Sequence, residues 1–317
     1  MENLFDQLTS RDTLDAAWLR VRDNAGCQGC DGITIGEFNF HRESQLERLR
    51  KAIIADYYQP LPLTRVQVPK PGGSFRYLSI PCVRDRVAQT AAFLVTYALF
   101  EKEYETCSHA YRLGHSVKTA VLEIKNLRDQ GYRYVVDADI DDYFDNIDHN
   151  RMLNKLPEII PDRRVRTLFA QWVHAEIYDG ASIYPLTRGI PQGSVVSPML
   201  ANLFLDEMDE NLALFEQKLV RYADDFIILC KTEAQAREAI DLTDYLLEEM
   251  DLELNPLKTS LTNFGKGFKF LGVIFLGDGI FVPFDRPAKP DVIVNVPPAL
   301  ELSKYLELKA VQGRSEK

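Results

Sequence analysis

Hydrophobic and polar positions along the chain follow two periods. Apolar residues return every three or four positions in 45–58, where Leu46, Leu49, Ile53 and Ile54 share a face and Arg48, Arg50 and Lys51 lie elsewhere. That spacing predicts an amphipathic helix with a solvated charged side. Similar patterns predict helices over 14–22, 84–100, 199–215 and 233–250, and another starting near Asn150. Alternation with a period of two predicts strands over 63–69 and 75–80, joined by the turn Lys70-Pro71-Gly72-Gly73-Ser74, and over 133–140. The apolar runs on either side of Ala223-Asp224, and the run 268–275, read as short buried strands. Beyond Gly277 the prolines 283, 287, 290, 297 and 298 break every pattern, so 277–317 reads as a Pro-rich linker with a short helix over 300–311.

Acids stand where these patterns call for apolar residues. Asp224-Asp225 falls between two apolar runs, which suits a β-hairpin with Ala223-Asp224 at its turn and the carboxylates at its tip. In 133–140, Asp137 and Asp139 share one face by the period of two. Acids embedded in a Val/Ile strand are costly unless paired or metal-bound. An Asp-Asp turn alone serves equally well as a solvated turn, so the acid-bearing strand is the stronger signal. Adjacent carboxylates repel, and a cation between them relieves the repulsion. Mg²⁺ suits such a place because it takes carboxylate oxygens together with substrate phosphates.

The flanking segments extend this chemistry. Lys70 and Arg76 lie beside a Gly-Gly turn where backbone and cations can approach a phosphate, although the same pattern also describes an ordinary surface hairpin. The loop Arg188-Gly189-Ile190-Pro191-Gln192-Gly193-Ser194 leads into a helix with Ser197 expected as N-cap and Pro198 at the first helical position. The Gln192 amide suits a sugar or base edge. Together the segments point to two-metal phosphoryl transfer, with Asp139 and Asp224 bridging the ions and Asp225 completing the cage. One ion would help deprotonate a primer 3′-OH, and Lys70 and Arg76 would position a triphosphate on the other.

Composition modifies this picture in one respect. At 317 residues, 46% hydrophobic and 26% charged, the chain is an ordinary globular one with room for one large or two medium domains. No apolar run nears the roughly 20 residues that span a bilayer. The N-terminus lacks a basic signal region, and five scattered cysteines suit a reducing cytoplasm, so a cytoplasmic protein with no membrane partner is expected. Cys27-Gln28-Gly29-Cys30 has metal-ligand spacing but no second Cys or His pair nearby. The net charge of −10 runs against nucleic-acid binding. The excess lies after residue 132, where 20 Lys and Arg face 31 Asp and Glu, against 17 and 16 before it. Binding of nucleic acid must then rest on local basic patches, such as Arg163, Arg164 and Arg166, or on a partner.

These segments resemble a known family. Tyr222-Ala223-Asp224-Asp225 resembles the core motif of reverse transcriptases, and Arg188-Gly-Ile-Pro-Gln192-Gly-Ser194-Val-Val-Ser197-Pro198 is similar to the motif preceding it in group II intron-type enzymes. Asp139-Ile140 followed by Tyr143-Phe144-Asp145-Asn146-Ile147-Asp148-His149 resembles their first-aspartate motif. Val68-Pro69-Lys70-Pro71-Gly72-Gly73, Arg76 and Asp85-Arg86 resemble their fingers, Ser108 to Ser116 the next block, and Leu254-Asn255-Pro256-Leu257-Lys258-Thr259 and Phe270-Leu271-Gly272 the closing palm motifs. Cys30-Asp31-Gly32-Ile33-Thr34 is similar to the N-terminal extension.

The resemblance implies an α+β, right-hand polymerase fold whose antiparallel palm sheet is flanked by helices, with a truncated or absent thumb. It divides the chain into an N-terminal extension and fingers (1–132), a palm (133–276) and the linker (277–317). It implies RNA-templated DNA synthesis with dNTPs on a DNA or RNA primer, using two Mg²⁺ ions with Mn²⁺ as a substitute. Asp139, Asp224 and Asp225 would be the metal ligands, joined by the Ile140 carbonyl, and the motif register favours Asp139 over Asp137. Tyr222 and Ala223 would complete the active-site hairpin. Lys70 and Arg76 would hold the triphosphate, Gln192 would lie beside the incoming sugar, and Phe144 would be the steric gate against a ribose 2′-OH. Only the Pro-rich 277–317 follows the last palm motif, so a partner or a longer chain would supply the thumb. Pro283-Phe284-Asp285-Arg286-Pro287 resembles the linker of reverse transcriptases joined to the CRISPR spacer-integration nuclease, which would make that integrase a fused domain or partner. A free-standing anti-phage enzyme, a maturase-like enzyme, and a non-catalytic polymerase-fold binding module are the alternatives.

Overall fold

The acid-bearing strand forms as Tyr134–Asp139 in the computed structural model, which describes residues 3–69, 75–283, 296–301 and 304–305. The chain divides into two units, each discontinuous in sequence. One gathers the described residues of 1–99, 148–197 and 291–317, and the other those of 100–147 and 198–290. Among the described residues no helix is long and apolar enough to cross a membrane.

In the first unit, Ser10 caps the helix Arg11–Asn24 through its side-chain oxygen, and Trp18 of that helix stacks on Phe38 at 4.8 Å. The helix expected over 45–58 runs Arg42–Ile54 instead. It stops because Asp56 turns to φ +58° and the amides of Tyr57 and Tyr58 both fold back to the Ala52 carbonyl. Tyr58 is thereby buried, donating to Asp85 (2.9 Å) and accepting from Trp172 Nε1 (3.1 Å). Strands Phe75–Ile80, Leu63–Pro69, Glu176–Tyr178 and Ile183–Pro185 form a sheet in that order, with one parallel pair in its middle. The turn carrying Lys70 lies outside the described residues.

The helix-capping expectation fails in this unit. Ser197 does not cap a helix: it is the first residue of the helix Ser197–Leu214, and its buried hydroxyl has no hydrogen-bond partner among the described residues. The incoming loop is instead held by Gln89, whose Oε1 accepts from Ser194 Oγ and Val195 N, both at 3.0 Å. Cys30, half of the lone Cys27/Cys30 pair, packs against a different cysteine. Cys30 Sγ lies 3.6 Å from Cys82 Sγ, in a buried cluster with Tyr178 and Ile183 that Leu300 and Tyr305 cover. Of the helix expected over 300–311, Leu300, Glu301, Lys304 and Tyr305 are described; the first two are not helical and the last two are.

The second unit is built on an antiparallel sheet ordered Lys218–Tyr222, Asp225–Cys230, Tyr134–Asp139, Ser260–Asn263. Helices Val117–Asp129 and Glu233–Glu248 pack on it. Val135, Val220, Ile227 and Leu229 join Ala120, Ile124 and Leu127 of the first of these helices in one buried cluster. By the period of two, Asp137 and Asp139 share Val135's face and Asp225 shares that of Ile227 and Leu229. This face is therefore apolar at one end and acidic at the other. The strand expected over 268–275 is two strands, Phe268–Phe270 and Val273–Leu276, folded back at Leu271-Gly272, where φ is +51° and +80°. Folding back lets Phe268 stack on Phe275 at 4.9 Å in the same cluster, which a straight strand could not do.

Candidate active site

A two-residue turn, Ala223-Asp224, joins Lys218–Tyr222 to Asp225–Cys230, and Tyr222 pairs directly with Asp225. Ala223 has φ +63°, a region that hairpin turns usually reserve for Gly, Asn or Asp. Across the sheet Asp139 is the register partner of Asp225. The pattern thus brings Asp139 and Asp225 opposite each other with Asp224 next to them on the turn.

The chain after Asp139 is stitched to 253–255. Asn255 N donates to the Asp139 carbonyl (2.8 Å) and Asp141 N to the Glu253 carbonyl (2.9 Å), which makes Ile140 and Leu254 a non-hydrogen-bonded pair. In that geometry the Ile140 carbonyl points away from residue 254. Asn255 Oδ1 accepts from Leu257 N (3.0 Å) and Asn255 O from Thr259 N (2.9 Å), a tight turn that delivers Lys258. Lys258 Nζ bonds Asp139 Oδ2 at 2.5 Å; its side chain is 62% exposed, that of Asp139 15%. Sequence reasoning placed Lys258 in a motif without giving it a role. The signal was available, since a lysine in the segment after an acid strand is a natural counter-charge.

Electrostatics mark the acidic end as short of cations. Burial, reinforced by Asp137, Asp139 and Asp224, pushes Asp225 up to about 7, with Lys258 opposing. Burial and then Asp139 push Asp137 up to about 6. The hydrogen bond to Asp139 raises Lys258. Asp137, which the motif register sets aside, therefore belongs to the same charge cluster. Among the described residues no three Asp, Glu, His or Cys side chains converge tightly enough to hold an ion as they stand, and Asp139 is engaged by Lys258. The donor set nevertheless fits a hard divalent cation: every donor is oxygen, and the like charges destabilise one another until a cation joins them.

Tyr143 and Phe144 follow on the helical turn Tyr143–Asn146. Tyr143 is buried and donates to the Ala201 carbonyl (2.5 Å), which leaves Phe144, edge-on to it at 5.6 Å, half-buried.

Gln192 and Arg76 belong to the first unit. The Gln192 carbonyl accepts from Ser79 N at 2.7 Å, and a Cβ on Gly193 (φ +118°) would come within 2.9 Å of the Ser79 carbonyl. Only glycine allows that approach. His149 Nε2 donates to the Gly189 carbonyl at 2.6 Å, fixing the start of the same loop. The Gln192 side chain makes no hydrogen bond among the described residues, so its amide is available. Arg76 is exposed on Phe75–Ile80, paired with Val68. Lys70 lies outside the described residues.

Residues 68–275 match the sequence profile of the family described as reverse transcriptase (RNA-dependent DNA polymerase). The chain belongs to the reverse transcriptase family. Members are RNA-directed DNA polymerases, which are nucleotidyltransferases acting on nucleic acid. Protein YkfC of Escherichia coli K12 is 29% identical over 283 residues, 77% of this chain and 74% of that protein. The group II intron-encoded protein LtrA of Lactococcus lactis is 27% identical over 219 residues, 69% of this chain and 36% of LtrA, so this reverse transcriptase spans little more than a third of that relative. Among solved structures, apo telomerase from Candida tropicalis shares the fold at a TM-score of 0.57 and 13% identity, over 75% of this chain and 53% of that one. A chain of a partial Cas6-RT-Cas1–Cas2 complex is 27% identical over 78% of this chain and 42% of that one, with a TM-score of 0.47. The α+β architecture with its antiparallel acid-bearing sheet is thus the right-hand polymerase fold.

Proposed function

We propose that this reverse transcriptase adds dNTPs to a primer 3′-OH along an RNA template, with Asp139, Asp224, Asp225 and the Ile140 carbonyl holding two Mg²⁺ or Mn²⁺ ions. One observation carries the reading: Asp139 is the register partner of Asp225, with Asp224 on the adjoining turn, and burial with mutual repulsion holds Asp225 up to about 7. Asp206 is raised as far by burial and Asp209, so the shift alone singles out no site; three acids meeting at the turn end of one sheet have no evident use in a scaffold without catalysis.

The ions, when bound, supply the Lewis acidity and charge neutralisation of phosphoryl transfer. Lys258, which bonds Asp139 as the side chains stand, would give that carboxylate up to them and stay as a cation beside the site. Lys70 and Arg76 hold the triphosphate by charge, and the Gln192 amide orients the sugar. The Phe144 ring occupies the space a 2′-OH would need, selecting deoxynucleotides.

Primer extension on an RNA template with dNTPs and Mg²⁺ or Mn²⁺ tests the reading. Native protein should incorporate and Asp224→Ala should not; equal incorporation by both would overturn it. A finer reading, that the DNA feeds a CRISPR spacer-integration nuclease, rests on the resemblance of Pro283-Phe284-Asp285-Arg286-Pro287. It requires that Asp224→Ala abolish integration of RNA-derived spacers while sparing DNA-derived ones.

A further inference from the structure

The catalytic turn is held from behind by a buried arginine. Arg221 is the register partner of Phe226, so its side chain leaves the sheet on the face opposite Tyr222 and Asp225. There it meets the helix Ser197–Leu214, and both it and Asp209 are 0% exposed. Arg221 Nε and Nη2 donate to the Asp209 carboxylate at 2.5 to 3.0 Å. Nη1 donates both to Asn202 Oδ1 (3.0 Å) and to the main-chain carbonyl of Ala223 (3.1 Å). Asn202 is itself fixed, donating from Nδ2 to the Ala110 carbonyl at 2.8 Å. The Arg221 backbone is equally constrained, since its N–H donates to Cys107 O (2.8 Å) and its carbonyl accepts from His109 N (2.9 Å).

Ala223 is the residue that needs holding. Its φ of +63° is one that L residues avoid, and such conformations persist where the surroundings over-determine them. The surroundings here are the guanidinium. Its planar fork serves Asp209 with one edge while the remaining nitrogen reaches the Ala223 carbonyl, a division that an ammonium cannot reproduce.

We infer that Arg221, clamped by Asp209 and Asn202, is a positioning residue that fixes the Ala223-Asp224 turn so that Asp224 and Asp225 present their carboxylates to a divalent cation. The inference rests on the metal-dependent reading above and adds a residue to it. Arg221 touches no substrate; it acts through the carbonyl of Ala223.

The test is Mn²⁺ binding to the protein without nucleic acid, followed by electron paramagnetic resonance, with thermal melting run in parallel. In Arg221→Lys the half-saturating Mn²⁺ concentration should rise about tenfold or more, as when other groups that orient a metal ligand are removed. Adding Ala223→Gly, which relieves the positive φ, should bring that concentration back to within about threefold of native, a coupling that lost global stability alone would not give. Should Arg221→Lys not melt cooperatively, the paired change Arg221→Gln with Asp209→Asn removes both buried charges and is expected to weaken Mn²⁺ binding similarly. Unchanged Mn²⁺ affinity in a cooperatively melting Arg221 variant, or a loss that Ala223→Gly does not reduce, would overturn the inference alone. If native Mn²⁺ binding is itself indifferent to Asp224→Ala, the metal-dependent reading has failed and the inference falls with it.

Discussion

The hairpin of Lys218–Tyr222 and Asp225–Cys230 carries charge on both faces and treats it in opposite ways. On one face Arg221 and Asp209 are sealed from solvent and answer each other bond for bond, with Asn202 and a backbone carbonyl taking what remains. On the other, Asp137, Asp139 and Asp225 crowd together with Lys258 bonded to only one of them. The carboxylate on one face is buried and those on the other are half-buried, yet depth alone does not mark a site. The difference is whether the protein supplies the counter-charge. At Asp209 it does, and the pair is closed; at Asp225 the opposing cation is Lys258, bonded to the neighbouring Asp139, which leaves that face open to a cation.

The comparison can be broken first at the acidic face. Asp139→Ala should lower dNTP incorporation by about a thousandfold or more while the protein still melts cooperatively, measured by primer extension and calorimetry. A fall in activity explained by unfolding would return these acids to the scaffold class. The compensated face should behave in the reverse manner. Asp209→Ala leaves Arg221 buried without its partner and should cost about 3–5 kcal/mol in a denaturant titration. A cost under about 1 kcal/mol would mean the pair is no anchor.

Two smaller effects sharpen the contrast. Phe144→Ala should reduce discrimination against ribonucleotides by about tenfold or more in competition between dNTP and rNTP, because the half-buried ring would no longer fill that space. Unchanged discrimination would remove Phe144 from the site. Asp225 offers a test of sign. A carboxyl held up at about 7 favours the fold while protonated, so its benefit is complete below about pH 4 and is lost as pH rises through 7. Without metal, Asp225→Asn should therefore melt about 2–4 °C above native at pH 8 and level with it below pH 4. A variant less stable than native at pH 8 would contradict the shortage of cations at this face.

Much of this contrast was legible in the sequence, but only on one face. Acids interrupting a Val/Ile strand violate its pattern, and the two-residue Ala223-Asp224 turn sits between apolar runs, so Asp224 and Asp225 could be named with the acids of 133–140; the family resemblance, not the pattern, favoured Asp139 over Asp137. Arg221 could not be given its role, because an arginine between Val220 and Tyr222 reads as a solvent-facing strand position until its long-range partner Asp209 is known. The pairing of Cys30 with Cys82 was hidden for the same reason, being set by tertiary packing 52 residues apart. Local pattern also misread 268–275: an unbroken apolar run looks like one strand, and only three phenylalanines meeting in one cluster show why it folds back at Leu271-Gly272. Nor does a linear division reveal that 148–197 joins the unit of the N-terminal residues.

The most direct test of the account is a calorimetric titration of Mn²⁺ into native protein, Asp225→Asn and Asp209→Asn at pH 8, before any nucleic acid is added. Native protein should bind Mn²⁺, Asp209→Asn, provided it melts cooperatively, should bind it more weakly because the turn is less firmly held, and Asp225→Asn should bind it most weakly of the three. Equal binding by native protein and Asp225→Asn would show that the acidic face is not the metal site, and the assignment of catalysis to Asp139, Asp224 and Asp225 would fall.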